Sequence, residues 1–214
     1  MSDKAPLLLN LAAFHPGTHA LGPGLRAAIW VQGCPFNCPG CIAPDWIPIK
    51  PAELIDPFEM AREILQLENL DGITISGGEP MLQAEALSHM LAAVFAKKPL
   101  NVIVFSGFKL ENLRHNPPNQ AVSDFLDFID VLIDGQYVDK LNEGIGLRGS
   151  SNQKIHHLTN RLLDFDFEKT PRKVELHLQD SQSFLIGIPS KQLYQAYNQA
   201  LTNANLMEKP DERT

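Results

Sequence analysis

The sequence predicts an α/β domain. Short apolar runs alternate with amphipathic stretches along its 214 residues, a pattern typical of parallel strands joined by helices. Hydrophobic residues make up 44% of the chain, which is enough to build a core without disulfide bonds. The length fits one domain, which we expect to occupy residues 1–205, with a core over about 10–160, an extension over 161–205 and a flexible tail over 206–214.

Local signals predict the elements of the first half. The apolar run over 7–14 is too short to cross a bilayer and predicts a buried first strand. A helix is expected over 57–67 because Asp56 is a favourable N-cap and Pro57 fits the first helical position. The other elements expected here are strands over 27–31, 72–76 and 101–105 and a helix over 83–96.

The second half continues this alternation and then changes character. Helical turns over 110–113 and 122–128, split by a Pro-Pro pair, precede a strand over 131–133. The polar, glycine-bearing stretch over 136–160 is predicted to be a long unstructured segment, and such segments are usually functional. The remaining elements expected are a hairpin of strands over 173–178 and 183–188 and a closing helix over 190–201.

The charge balance argues against polyanionic partners. The chain has 18 Lys+Arg against 25 Asp+Glu, a formal net charge of −7, so it shows no basic footprint for nucleic acid or anionic lipid. No targeting segment or transmembrane run is apparent in the sequence. We therefore expect a cytoplasmic protein with no nucleic-acid partner and no membrane partner.

All three cysteines lie within eight residues, at Cys34, Cys38 and Cys41. An odd, tightly clustered set cannot form a disulfide framework, and it indicates a reducing compartment and a shared ligand. Soft sulfur ligands favour zinc, copper(I) or iron–sulfur clusters. A [4Fe–4S] cluster held by three cysteines leaves one iron free for a small molecule that chelates it through an amine and a carboxylate, whereas an electron-transfer cluster normally has a fourth thiolate.

Zinc is the alternative ligand for these cysteines, and the remaining alternative is that they are unliganded core residues. A structural zinc site needs four ligands, so a histidine such as His15, His19 or His115 would have to complete it. A second segment bears on the choice. Gly77-Gly78-Glu79-Pro80 directly follows a predicted strand, where two glycines allow the backbone to approach a ligand closely, although the same four residues also make a common turn.

With C-x3-C-x2-C after one strand and Gly-Gly-Glu-Pro after the next, the sequence resembles the radical S-adenosylmethionine (SAM) superfamily. The resemblance implies an incomplete (β/α) barrel with a carboxy-terminal β-hairpin and helix extension. It implies one [4Fe–4S] cluster bound by Cys34, Cys38 and Cys41, whose open iron binds SAM. One electron then cleaves SAM to methionine and a 5′-deoxyadenosyl radical, and no side chain is needed as an acid or base.

Further motifs make the sequence similar to the anaerobic ribonucleotide reductase activating proteins, which are glycyl-radical activases. They occur in order over about 10–160, at 22–26 (Gly-Pro-Gly-Leu-Arg), 38–41, 76–80, 106–108, 129–135 and 148–153. The chain departs from that pattern at Leu21, where an acidic residue is common, and over 42–46. The resemblance implies a protein substrate whose glycine becomes a radical, and reduced ferredoxin or flavodoxin as the electron donor.

The resemblance and the strand-end positions together predict the residues that contact SAM. They are Gly40, Cys41, Ile42, Gly77, Gly78, Glu79, Pro80, Ser106, Asp134, Ser151 and Asn152. Turn chemistry also accounts for Asp134, and 148–153 is also compatible with an ordinary polar loop. His156 and His157 are expected to be structural or on the surface, since adjacent strand residues face opposite ways. Two other functions stay open: a radical SAM enzyme acting on a small molecule or another peptide, and a zinc-binding interaction module.

Overall fold

The computed structural model describes residues 6–179 and 182–203. In this part of the chain no helix is long and apolar enough to cross a bilayer. The strands are β1 (Leu9–Thr18), β2 (Arg26–Val31), β3 (Glu53–Ile55), β4 (Gly72–Gly77), β5 (Asn101–Ser106), β6 (Val131–Asp134), β7 (Lys154–His157), β8 (Val174–Gln179) and β9 (Gln182–Gly187). The helices are α1 (Pro57–Gln66), α2 (Ala84–Phe95), α3 (Leu110–His115), α4 (Val122–Leu126) and α5 (Lys191–Asn203).

Seven strands form one mixed sheet in the order β3-β1-β2-β4-β5-β6-β7. The four inner strands β2, β4, β5 and β6 are parallel to one another. The strands β1, β3 and β7 add to the two sides in antiparallel pairs. Helices connect the parallel strands, so the predicted α/β class is confirmed.

The core lies between the parallel strands and the helices α1 and α2. The strand β2 is buried along its whole length, as parallel strands covered on both faces should be. The helix α1 begins where the sequence predicts, because the Asp56 side chain accepts a hydrogen bond from the Phe58 N–H at 2.7 Å. Its inward residues Met60 and Ile64 are fully buried, which confirms the amphipathic pattern.

A buried guanidinium joins the amino-terminal ends of three parallel strands. Arg26 is fully buried and donates five hydrogen bonds. They reach the Thr74 hydroxyl at 2.7 Å and the carbonyl oxygens of Ile73 and Pro23 at 2.8 and 3.1 Å. The other two reach the side-chain and main-chain oxygens of Asn101 at 2.5 and 3.4 Å. Burial lowers the pKa of Arg26, and these dipoles compensate its lost hydration.

Two strands, β3 and β7, were not expected. The stretch over 136–160 is not unstructured: it contains a 3₁₀ turn at Asp139–Leu141 and the strand β7, which pairs with β6. The strand β7 has a polar sequence in which Ile155 is the only aliphatic residue, so it lacks the alternation that marks a half-buried strand. The strand β3 has three residues, too few for a periodic pattern.

The carboxy-terminal extension forms the expected hairpin, β8 and β9, and the expected helix, α5. The Glu175 carboxylate on β8 accepts hydrogen bonds from the Thr18 hydroxyl at 2.7 Å and the His19 N–H at 2.8 Å, so the hairpin is joined to the end of β1. Residues 180 and 181 of the predicted turn and the predicted tail over 206–214 lie outside the described residues. The division at residue 160 remains a prediction.

Candidate iron–sulfur active site

Loops from the carboxyl ends of the parallel strands surround one cavity of about 650 Å³. Parallel strands bring their carboxyl ends to the same edge of a sheet, so the loops after β2, β4 and β5 meet there. The cysteine loop follows β2, and the Gly-Gly-Glu-Pro loop follows β4. Cys34, Cys38 and Cys41 all line the cavity, and so do residues of the Gly-Gly-Glu-Pro loop. The two predicted motifs therefore border the same cavity.

The cysteine loop folds back on itself through main-chain hydrogen bonds. The Cys34 N–H donates to the Ile47 carbonyl at 2.9 Å, and the Cys41 N–H donates to the Cys38 carbonyl at 3.1 Å. Gly40 lies between the last two cysteines with a φ of 77°, a left-handed conformation that favours glycine. The C-x2-C half of the motif is therefore a tight turn with two thiols close in sequence and facing one cavity.

The three thiols are free and partly buried. Burial raises the pKa of Cys34 to about 11, and it raises the pKa of Cys38 as well. The neighbouring cysteines and the Glu79 carboxylate raise both values further, which places these groups close together. The main-chain N–H groups of Phe36 and Tyr137 donate to the Cys34 and Cys38 sulfurs and oppose the shift. Cys34 and Cys38 consequently need a metal centre to become thiolates at neutral pH.

The donor set fits a cluster with three protein ligands. Among the described residues, no three His, Cys, Asp or Glu side chains converge on a point that would hold a single metal ion. A [4Fe–4S] cluster does not require such convergence, since each thiolate binds a different iron atom. The histidines considered as a fourth zinc ligand lie elsewhere, because the described lining of the cavity includes none of His15, His19 and His115.

The two glycines of the second motif are required by their contact with the cysteine loop. A Cβ atom on Gly77 would lie 2.4 Å from the Val31 nitrogen, and one on Gly78 would lie 2.3 Å from the Gly33 oxygen. The Gly78 N–H donates to the Val31 carbonyl at 2.7 Å, and the Glu79 N–H donates to the Gly33 carbonyl at 2.9 Å. These contacts fix the Gly-Gly-Glu-Pro loop against the segment that leads into the first cysteine.

Glu79 holds the next loop in the same way. Its fully buried carboxylate accepts hydrogen bonds from the Met81 N–H at 3.0 Å, the Ser106 hydroxyl at 2.9 Å and the Gly107 N–H at 2.7 Å. Burial raises its pKa to about 7, against the opposing effect of these three donors. Both carboxylate oxygens thus serve to join the loops after β4 and β5.

The structure brings most of the predicted contact residues to the cavity. Those that line it are Cys34, Cys38, Gly40, Cys41, Ile42, Gly77, Gly78, Glu79 and Ser106. Pro80 is buried at the start of a 3₁₀ turn and does not line it. From the loop over 148–153, Gly149 and Gln153 reach the cavity, whereas Ser151 and Asn152 do not.

Asp134 is also directed elsewhere. Its carboxylate accepts a hydrogen bond from the Leu110 N–H at 2.6 Å and lies 2.8 Å from Nε2 of His156 on β7. The Ser151 N–H donates to the Leu141 carbonyl, so this residue closes the loop on itself. The roles of Pro80, Asp134, Ser151 and Asn152 as SAM contacts remain predictions.

Aromatic and polar residues that the sequence did not single out complete the cavity. They include Trp46, Tyr137, Phe184, Lys191, Tyr194 and Tyr197. Tyr137 follows the end of β6, and that position was the available signal. The residues from the extension carried no signal, since nothing in their own sequence indicates where the hairpin docks. Phe36 lines the cavity, with its ring centroid 4.8 Å from that of Phe108.

Comparisons with known proteins match the region that forms this site. A family described as a 4Fe-4S single cluster domain matches residues 20–156. The anaerobic ribonucleoside-triphosphate reductase-activating protein of Escherichia coli K12 is 31% identical over 161 residues, 70% of this chain and 99% of the relative. The protein of the same name from Salmonella typhimurium is 33% identical, covering 68% of this chain and 96% of the relative. The pyruvate formate-lyase-activating enzyme of Staphylococcus epidermidis is 30% identical, covering 67% of this chain and 59% of the relative.

These matches decide between the two ligand chemistries that the cysteine spacing left open. The matched segment contains all three cysteines and the Gly-Gly-Glu-Pro loop, and its family carries a single [4Fe–4S] cluster. The relatives are activating enzymes, so the protein is an iron–sulfur enzyme that uses SAM and is not a zinc-binding interaction module. The chain therefore belongs to the 4Fe-4S single cluster domain family, among the radical SAM activases typified by the anaerobic ribonucleoside-triphosphate reductase-activating proteins.

Proposed function

We propose that the protein generates a glycyl radical on a partner enzyme of the anaerobic ribonucleoside-triphosphate reductase type. One observation carries this proposal. The three thiols and the Gly-Gly-Glu-Pro loop border one cavity, and the segment that builds them matches relatives named for activating that reductase along nearly their whole length. We infer that the four parallel strands form the incomplete barrel expected of such enzymes, with the cluster at their carboxyl ends.

Cys34, Cys38 and Cys41 would hold the cluster at the carboxyl ends of the parallel strands. When bound, the cluster would supply the electron that cleaves SAM to methionine and a 5′-deoxyadenosyl radical, and this radical would take hydrogen from the partner's glycine. The electron would come from reduced ferredoxin or flavodoxin. The chain would contribute orientation and exclusion of water, because the backbone of Gly77 and Gly78 and the ring of Phe36 line the cavity that would hold the cofactor.

The surface around the cavity favours a protein substrate. Ile42 lines the cavity and is 45% exposed, while Val138 and Leu141, on either side of the lining residue Asp139, are 40% and 42% exposed. Exposed apolar side chains on an accessible rim are typical of protein interaction sites. The alternative, a radical SAM enzyme acting on a small molecule or another peptide, does not require such a rim. We further propose that the enzyme acts in the cytoplasm.

Metal analysis and product analysis together test this function. After anaerobic reconstitution we expect about four iron and four sulfide per chain, release of 5′-deoxyadenosine from SAM under reduction, and a glycyl-radical signal by electron paramagnetic resonance when the reductase is added. Cys38→Ala should reduce 5′-deoxyadenosine release by at least about 100-fold, since two thiolates cannot hold the cluster in place.

His19→Ala is the matched control, because it removes a side chain of a metal-binding type that lies outside the cavity. The His19 ring contacts the Gly24 carbonyl instead. This variant should retain a full iron content. One zinc per chain and no iron would refute the cluster itself. Normal cleavage of SAM without any radical on the reductase would refute the proposed partner and favour the small-molecule or peptide alternative.

A further inference from the structure

The carboxy-terminal extension borders the same cavity as the cysteine loop. Its residues in the lining are Phe184, Leu185, Gly187, Ile188, Pro189, Lys191, Tyr194, Gln195 and Tyr197. Two contacts fix it there: Nζ of Lys191 lies 2.6 Å from the Asp139 carboxylate, and the Tyr194 hydroxyl donates to the Ile42 carbonyl at 3.2 Å. The matched family region ends at residue 156, so the extension supplies a wall that this region does not contain.

The strand β9 presents its edge to the cavity. Successive side chains of a strand point to opposite sides, yet Phe184 and Leu185 both line the cavity, as do Gly187 and Ile188. Residues whose side chains point to opposite faces of a strand can both line a cavity when the edge of that strand borders the cavity. Within the described residues β9 pairs only with β8, so its other edge has no neighbouring strand.

The direction of the main-chain groups on the outer edge of β9 follows from one hydrogen bond. The Ser183 carbonyl accepts a hydrogen bond from the Tyr197 hydroxyl at 3.1 Å, so it points away from β8. Outward groups recur at every second residue of an antiparallel strand. The N–H and C=O of Leu185 therefore point away from β8 as well, on the side that borders the cavity.

The sequence of β9 does not protect this edge. Exposed edges normally carry charged side chains or proline, which prevent pairing with another chain. Residues 183–187, Ser-Phe-Leu-Ile-Gly, contain neither, whereas the adjacent strand β8 carries Glu175 and His177. An apolar, uncharged edge is suited to a strand that is to be paired.

Glycine has no side chain, so an enzyme can hold that residue itself only through its main chain. A free strand edge does this by adding an extended peptide to the sheet. We propose that the outer edge of β9 binds the glycine-bearing segment of the partner protein as a third strand and so delivers the glycine to the cavity. This inference rests on the proposed function.

A proline scan of the two edges tests it. Leu185→Pro removes the outward N–H and leaves the hydrogen bonds to β8 in place, and proline is tolerated at strand edges. Leu176→Pro is the matched control, because Leu176 lies directly opposite Leu185 and its N–H points to the far edge of the hairpin. We expect Leu185→Pro to raise the KM for the reductase about tenfold and Leu176→Pro to change it less than about twofold. Leu185→Ala keeps the N–H and should raise KM less than the proline does.

A second measurement needs no variant. When the reductase is added to the wild-type holoenzyme, amide hydrogen exchange over 183–187 should slow at least about tenfold, while exchange over 174–178 should not change. Equal KM values for the two proline variants, or unchanged exchange over 183–187, would overturn the inference while leaving the proposed function intact. A wild-type enzyme that cleaves SAM but forms no radical on the reductase would overturn both.

Discussion

Two charged side chains are fully buried at opposite ends of the parallel strands. Arg26 lies at the amino-terminal ends and Glu79 at the carboxyl ends. Both belong to motifs that make the sequence similar to activating proteins, and both have hydrogen-bond partners for their polar atoms. They differ in what those partners do. Arg26 joins the strands themselves, whereas Glu79 joins the loops that leave them.

This difference shows that a motif residue can act on the site without touching the cofactor. The guanidinium of Arg26 holds β2, β4 and β5 together at the end of the sheet away from the cysteines. The carboxylate of Glu79 fixes the loops that border the cavity. Loss of the first should therefore reduce the stability of the whole domain, and loss of the second should act through the geometry of the site.

The largest effect is expected for Arg26→Met. The substitution removes all five hydrogen bonds and leaves buried acceptors unpaired, so the free energy of unfolding should fall by roughly 3–5 kcal/mol. Urea denaturation of the cluster-free protein measures this. Arg62→Met is the matched control, because the Arg62 side chain is 64% exposed and forms a surface ion pair with Glu59. A loss below about 1 kcal/mol for Arg26→Met would contradict the structural role of the guanidinium.

A pH-dependent effect is expected for Glu79. Its pKa is raised from the usual 4.5 to about 7, so the folded protein keeps a proton that the unfolded chain has lost. The stabilising effect of that proton is fully present below pH 4.5 and is lost as the pH rises through 7. Relative to Glu79→Gln, the wild-type free energy of unfolding should fall by roughly 3 kcal/mol between pH 4.5 and pH 8. Parallel pH profiles for the two proteins would contradict a buried, proton-holding carboxyl group.

Local signals in the sequence sufficed to predict the parts of the site that depend on contacts close in the chain. The cap and first turn of α1 were predicted from Asp56 and Pro57, and the ligand shared by the three cysteines was predicted from their clustering. The position of the extension was not predictable, because it depends on contacts such as that between Thr18 and Glu175, which are 157 residues apart. Periodicity and turn preferences are local signals, so they do not predict a contact between residues so far apart in the sequence.

Asp134 illustrates how one missed element changes the expectation for a side chain. As the last residue of a parallel strand it was expected to face the cofactor. The unexpected strand β7 places His156 beside it, and the Leu110 N–H at the start of α3 occupies the same carboxylate oxygen. The position of a residue along a strand could be predicted from the sequence, but the direction of its side chain depends on neighbours that join the sheet from elsewhere in the chain.

The smallest effect is expected at the contact between the two motif loops. Gly78 does not have a left-handed φ, so Gly78→Ala introduces only steric conflict with the Gly33 oxygen, 2.3 Å from the new Cβ. Overpacking of this kind should cost about 1–3 kcal/mol and displace the loops at the carboxyl ends. Gly144→Ala is the converse control. Gly144 has a φ of 73° and no atom within 4 Å of its Cβ position, so an alanine there introduces backbone strain without a steric conflict. If Gly144→Ala lowers iron content after reconstitution as much as Gly78→Ala does, the fit between the two loops does not shape the site. If only Gly78→Ala lowers it, the glycine pair is required because it lets the two loops pack against each other.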